Sequence, residues 1–203
     1  TKIYISASKL GFGKSNTIDT VNFYFHTLDT NNLFRLYSKV DSNLKGFLKG
    51  DIIVLENGVG ILVDSLDLGY RNYNFFNRRD AKIYFLPRDS INNPVNNIFF
   101  DNLVLKDSLN QRIRINGNYS INGSSDITVS GSRIVIPELF NLAQIQKQEQ
   151  YIQGDLRRFK INFKGTLEKP EIYSEFNTDP LKYGKNNIGR MDAIIQYKDN
   201  VIL

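Results

Sequence analysis

Residues 112–121 read RIRINGNYSI, and the alternation of polar and apolar side chains in this stretch decides the fold class. Odd positions carry apolar side chains or glycine and even positions carry polar ones, which is the pattern of a strand with one apolar face. An amphipathic helix would instead place its apolar residues three and four positions apart. The apolar side of this predicted strand holds Ile113, Ile115, Tyr119 and Ile121.

Two further stretches alternate in the same way. Residues 126–130 read DITVS and residues 157–164 read RRFKINFK, and shorter examples occur at 2–6 and 21–25. The chain also contains 14 Phe and 11 Tyr, residue types that suit the pleated surface of a sheet. We therefore predict an all-β protein. The apolar positions of the two longer stretches are Ile127, Val129, Phe159, Ile161 and Phe163.

Asn-Gly pairs predict tight hairpins between the strands. They occur at 57–58 and 122–123, and both residue types tolerate the positive φ that a two-residue hairpin turn requires. The stretches 44–58, 115–131 and 163–176 share one order: a glycine, a short strand, a turn and a second strand. We predict that such loosely repeated hairpins stack side by side into an elongated, curved sheet of antiparallel type.

One stretch breaks the strand pattern. Residues 137–150 read PELFNLAQIQKQEQ, which predicts a short helix because proline suits the first helical position and apolar residues follow at helical spacing. We predict that the remainder of the chain forms a single β-groove segment over residues 1–203, as a fragment of a larger repeat protein.

The composition excludes several kinds of site. The chain has no Cys, so disulfides and Cys-based metal sites are excluded. The net charge is only +5, and the Lys and Arg residues are scattered, which is typical of a solvated surface. No apolar run approaches the roughly 18 residues of a helical membrane span.

Short motifs for catalysis or nucleotide binding are incomplete. Residues 11–15, GFGKS, are similar to the end of a phosphate-binding loop, but the first glycine of that motif would fall at Ser8. The single histidine, His26, lies in a predicted strand, and the chain lacks a nucleophile elbow. We expect no enzyme activity, no metal and no cofactor.

Residues 70–79, YRNYNFFNRR, interleave aromatic and cationic side chains. This composition suits stacking on single-stranded nucleic acid, and it also suits an aromatic-rich strand with a polar end. We favour the second interpretation and expect no nucleic-acid partner.

Residues 102–137, NLVLKDSLNQRIRINGNYSINGSSDITVSGSRIVIP, resemble the repeats of the TamB and AsmA-like family of Gram-negative envelope proteins. The shared order is a strand, a turn, a strand reaching Gly117, an Asn-Gly hairpin and a closing strand at 134–136. Residues 161–172, INFKGTLEKPEI, resemble that family's order of apolar strand, Gly-Thr, turn and proline. The resemblance covers roughly residues 40–180, and the Asn, Lys and Ile bias is similar to that of AT-rich groups such as the Bacteroidetes.

The resemblance implies a non-catalytic subunit segment of a translocation and assembly module. Members of the family form a folded-over sheet whose apolar inner face conducts phospholipid between the inner and outer membranes, and they serve outer-membrane biogenesis and protein secretion. A periplasmic location, an inner-membrane anchor outside this chain and an outer-membrane barrel partner of the TamA type are implied too. Phospholipid acyl chains would then contact the groove residues Ile113, Ile115, Tyr119, Ile121, Ile127, Val129, Phe159, Ile161 and Phe163.

A closed β-sandwich would show the same alternation. In that fold the Ile and Phe side chains form a dry core, and the domain serves as a binding or structural module that recognises glycan or protein through its loops. Groove and sandwich differ only in whether the apolar face is covered, so both stay open at this point.

Overall fold

The computed structural model describes the protein over ten stretches of the chain, residues 1–12, 16–28, 31–56, 58–70, 73–77, 80–86, 96–120, 123–138, 152–199 and 201–202. Most of these residues lie in strands, which confirms the all-β prediction. All strand pairs among the described residues are antiparallel, as predicted. The chain divides into two compact units, Thr1–Ser108 and Leu109–Leu203. The single 1–203 segment stays a prediction.

The first unit is a sheet of eight strands in which β1 to β5 pair in sequence order. The short strands β6 and β7 both pair with β5 on one side and with β8 on the other, so they occupy one place in the sheet. The strands are β1 (Lys2–Phe12), β2 (Asn16–Leu28), β3 (Asn31–Lys39), β4 (Leu44–Leu55), β5 (Gly58–Tyr70), β6 (Tyr73–Asn77), β7 (Ala81–Leu86) and β8 (Asn97–Lys106).

The core of the first unit follows from its pairing register. Phe34 of β3, Val63 of β5 and Ala81 of β7 occupy one cross-strand row, and all three are buried. Leu103 and Leu105 of β8 are buried as well. The cross-strand row forms a small dry core, and both faces of β8 are covered nearby because Val104, between Leu103 and Leu105, is buried too.

The second unit contains a larger and a smaller sheet. The larger has the order β9-β10-β12-β13-β16-β17, and the smaller has the order β11-β14-β15. The strands are β9 (Arg112–Ser120), β10 (Ser125–Val135), β11 (Ile152–Gln153), β12 (Asp155–Gly165), β13 (Pro170–Thr178), β14 (Leu181–Tyr183), β15 (Asn186–Gly189), β16 (Asp192–Lys198) and β17 (Val201–Ile202).

Hairpins occur close to both Asn-Gly pairs, but Gly58 is the first residue of β5 and therefore lies in the strand rather than in the predicted turn. Leu55 pairs with Gly58 across the first turn, and Asn118 pairs with Asp126 on either side of the second. Within β9, Gly117 has a φ of 112°, and a Cβ added there would lie 3.1 Å from the Cα of Ile127 on the neighbouring strand. Only glycine therefore fits this point of close strand approach without strain.

The helix predicted for 137–150 is described only at its beginning. Residues 136–138 are helical, and residues 139–150 lie outside the described part of the chain. The side chain of Gln111 bonds to both the end of β10 and the helical residues. Its oxygen accepts a hydrogen bond from the N–H of Val135 at 2.9 Å, and its amide group donates one to the carboxylate of Glu138. In the described stretches, no helix has the length and apolar character needed to cross a membrane.

Candidate functional site

The pairing register brings the central predicted residues of three strands into one row. Ile115 of β9 lies opposite Val129 of β10, and Val129 lies opposite Ile161 of β12. The row continues through Ser174 of β13 to Ile195 of β16. Directly opposed residues of an antiparallel sheet point to the same side, so this row belongs to one face of five adjacent strands.

Two flanking rows extend the same face. Tyr119 has the same strand parity as Ile115 and therefore faces this side too, whereas Ile121 lies outside the described residues. We call the three rows together with Tyr119 the apolar face. The flanking rows are Ile113, Gly131, Phe159, Phe176 and Ala193 on one side, and Gly117, Ile127, Phe163, Ile172 and Tyr197 on the other.

The apolar face is only half-buried. The eight described residues predicted for the groove all have intermediate exposure, and Ile195 is 43% exposed. The buried apolar side chains of the second unit, among the described residues, are Ile134, Ile136 and Leu181, and none belongs to this face. A second sheet packed on these rows would bury the inward side chains between the layers. The described apolar side chains of the face are therefore partly exposed, while Ser174 in its central row is buried.

Five apolar members of this face were missed by the sequence patterns. Ile172 and Phe176 come from β13, and Ala193, Ile195 and Tyr197 come from β16. In β16 the adjacent Ile194 and Ile195 point to opposite faces, which hides the alternation. The spacing of Ile172 and Phe176 within a strand-like stretch was the signal that could have found the first pair.

The opposite face of the same strands is polar. Its first row is Arg112, Ser132, Arg158, Asn177 and Asp192, and its second row is Arg114, Ser130, Lys160, Glu175 and Ile194. Every member of both rows lines a cavity of about 980 Å³, which we call the polar-face cavity. Four residues of the apolar face line this cavity as well, namely Gly131, Phe159, Phe176 and Ala193.

The carboxylates of this cavity are engaged by neutral donors. The hydroxyl of Tyr173 donates to Glu175 Oε1 at 2.7 Å, and this hydrogen bond raises the pKa of Tyr173 above its ordinary value. The side-chain amide of Asn177 donates to the Asp192 carboxylate. Both carboxylates thus accept a hydrogen bond from a neutral side chain.

Beyond the cavity, cations on the polar face form cross-strand ion pairs. Lys164 lies 3.5 Å from Asp126, and Lys198 lies 2.8 Å from Glu171. The hydrogen bond that Lys198 donates to the Glu171 carboxylate raises the pKa of Lys198. These exposed pairs fix side-chain positions but contribute little to the free energy of unfolding.

No family model, no curated protein and no solved structure matches this chain. Function must therefore be inferred from the faces of the sheet. In the described ranges, no three His, Asp or Glu side chains are arranged to hold a metal ion. His26 lies in β2, where its ring centroid is 6.3 Å from that of Tyr24, as expected for two aromatic residues on one side of a strand.

The remaining sequence motifs are only partly described. Residues 13–15 of the glycine-rich stretch lie outside the described part of the chain. In the aromatic stretch 70–79, Tyr70 is the last residue of β5 and residues 73–77 form β6. Residues 71–72 and 78–79 lie outside the described part of the chain.

Proposed function

We propose that this chain is a non-catalytic segment of an envelope protein of the TamB and AsmA-like kind, whose apolar face binds phospholipid acyl chains. In this function the sheet conducts phospholipid between the inner and outer membranes, in the periplasm, and contributes to outer-membrane biogenesis and protein secretion. The full protein would be anchored in the inner membrane and would meet an outer-membrane barrel of the TamA type.

One observation carries the proposal: the apolar face is continuous over five strands yet none of its apolar side chains is buried among the described residues. Five strands at the usual spacing of about 4.8 Å span roughly 19 Å. A partly exposed apolar surface of this kind favours a bound apolar partner, because soluble monomers rarely expose large contiguous apolar patches.

Acyl chains fit this surface energetically. Each methylene removed from water contributes about 0.8 kcal/mol, so contact along several methylenes holds a chain without polar recognition. Side chains such as Ile115, Val129 and Ile161 offer no directional partner, and an acyl chain can therefore move along the row. This combination of binding and mobility is what a conducting surface requires.

Native mass spectrometry of the purified chain, with lipid extraction from the same sample, tests the proposal. We expect co-purified phospholipid at near-stoichiometric amounts. Phospholipid should be reduced in Ile161→Asp, because a carboxylate on the apolar face repels acyl chains and is costly to desolvate. Absence of lipid from the wild-type chain would contradict the proposal.

Asn162→Asp is the matched control, because it adds the same charge one residue away on the opposite face. Asn162 accepts the Thr128 hydroxyl at 3.0 Å, and the substituted carboxylate can still accept it. We expect Asn162→Asp to retain lipid. Circular dichroism of both variants separates the two architectures: an open face leaves Ile161→Asp folded, whereas unfolding by this change indicates a closed sandwich core.

A further inference from the structure

The polar-face cavity places four cations around a pair of hydroxyls. Arg112 and Arg114 come from β9, and Arg158 and Lys160 come from β12, two strands away. Ser130 and Ser132 of β10 lie between these cations. One cross-strand row is Arg114, Ser130 and Lys160, and the other is Arg112, Ser132 and Arg158. Strand geometry puts the two cation pairs roughly 10 Å apart and the members of each pair about 7 Å apart.

These cations have no acidic partner in the described structure. Among the described residues, no ion pair within 4.0 Å joins Arg112, Arg114, Arg158 or Lys160 to a carboxylate. Lys160 lies directly opposite Glu175 in the sheet, but Glu175 accepts the hydroxyl of Tyr173 instead. Arg157 adds a fifth cation to the lining, against the two carboxylates of Glu175 and Asp192.

An excess of unpaired cations over one concave surface is unfavourable for the protein alone. Like charges at these distances repel, and because Arg114, Arg158 and Lys160 are exposed, water and salt screen part of that repulsion. On the same face, Lys164 and Lys198 both have ion-pair partners, so the unpaired set coincides with the cavity. The arrangement is the one expected of a site that is completed by an anionic ligand.

We propose that the polar-face cavity binds a phosphate-bearing ligand over Ser130 and Ser132. Guanidinium groups bind phosphate oxygens through two parallel hydrogen bonds, and the ammonium of Lys160 and the serine hydroxyls supply further donors. A volume of about 980 Å³ accommodates a ligand larger than a single phosphate. The charged and hydroxyl side chains of the site lie on the opposite side of the sheet from Ile115, Val129 and Ile161, whereas Phe159 and Phe176 belong both to the cavity lining and to the apolar face.

Isothermal titration calorimetry of the full chain with inorganic pyrophosphate, at low ionic strength, tests this site. We expect saturable binding with one pyrophosphate per chain. Lys160→Gln and Arg114→Gln should each weaken binding about tenfold or more, as expected for the loss of a charge-assisted hydrogen bond.

Lys164→Gln is the matched control. It removes the same charge from the same strand and face, but Lys164 lies outside the cavity lining. We expect it to change the affinity less than twofold. Absence of saturable binding would overturn the proposal, and so would equal weakening by Lys160→Gln and Lys164→Gln, which would reveal diffuse electrostatic attraction.

The source of the phosphate is resolved by vesicle co-sedimentation. The probes are phosphatidylcholine vesicles with and without phosphatidylglycerol. Saturable pyrophosphate binding without vesicle binding assigns a soluble phosphate ester, and vesicle binding that requires phosphatidylglycerol and Lys160 assigns a lipid headgroup. Vesicle binding unaffected by Lys160→Gln, combined with no pyrophosphate binding, would overturn the cavity as the site.

Discussion

The ring of Phe159 in β12 lies over the Cα of Gly131 in β10, the residue directly opposite it in the sheet. A Cβ built on Gly131 would lie 2.7 Å from Cζ of that ring and 2.6 Å from the carbonyl oxygen of Arg112. The absence of a side chain at position 131 leaves room for the ring. An aromatic residue that covers a glycine on the next strand stabilises both, because the ring gains contact area and shields the exposed backbone.

Gly131→Ala is therefore expected to destabilise the protein by about 1–3 kcal/mol, the range for overpacking a close contact. The added methyl group displaces the ring of Phe159 and approaches the Arg112 carbonyl. Urea unfolding measures the change in free energy. Gly11→Ala is the control, because nothing lies within 4 Å of a Cβ at that strand position. Equal stability of both variants would show that the ring does not occupy this place.

We expect the hydroxyl of Thr178, at the end of β13, to stabilise the folded protein. It is 1% exposed, and its Oγ1 accepts the N–H of Met191 at 3.0 Å, while its own N–H donates to the Met191 carbonyl at 2.9 Å. Thr178→Val leaves the Met191 N–H without its acceptor, which costs roughly 1–3 kcal/mol.

Thr178→Ser separates the hydrogen bond from packing. This variant keeps the hydroxyl and loses one methyl group, so we expect the smaller loss of stability of the two. Hydrogen exchange at the Met191 amide measures the local effect. Fast exchange in Thr178→Val with slow exchange in Thr178→Ser is the expected result, and identical exchange rates in both would contradict it.

Asn77 at the end of β6 connects this strand to β8 through its side chain. Its side chain is 1% exposed, and its Nδ2 donates to the carbonyl oxygen of Val104 in β8 at 2.9 Å. Asn77→Ala removes this donor from a buried carbonyl and is expected to cost about 1–3 kcal/mol in thermal or urea unfolding. Asn74→Ala, at an exposed position of the same strand, should change stability by less than about 0.5 kcal/mol.

The pKa of Tyr173 is expected to fall when Glu175 is replaced by Gln. In the folded chain the hydrogen bond to Glu175 raises this pKa, with smaller contributions from burial and from the charge of Glu175. A folded-state pKa above the unfolded value favours the protonated phenol. The contribution to stability is therefore complete below the ordinary tyrosine pKa and is lost as the pH rises through the raised value.

Nuclear magnetic resonance titration of tyrosine ring carbons measures this shift. Glu171→Gln is the control, because Glu171 pairs with Lys198 rather than with Tyr173. We expect Glu175→Gln to lower the Tyr173 pKa and to flatten the loss of stability at alkaline pH. An unchanged Tyr173 pKa in Glu175→Gln would contradict the assigned hydrogen bond.

The strand pattern could be predicted where polar and apolar residues alternate strictly. In β9 and β12, residues such as Ile113, Ile115, Phe159 and Ile161 follow that pattern, and the structure brings them to one face. In β13 the pattern is obscured because Ser174 sits among the apolar side chains. Ser174 is buried at that position between larger neighbours. The alternation within one strand does not reveal such burial, because it depends on the adjacent strands.

The amino-acid sequence by itself determined the all-β class, the antiparallel hairpins and the composition of each strand's two faces. These features depend on local alternation and turn residues, which neighbouring positions in the chain already contain. Tertiary structure alone decided that Arg114 and Lys160 share a cavity, and that Phe159 lies over Gly131. Those relationships join residues far apart in the chain, because strand register fixes them only after the strands have paired.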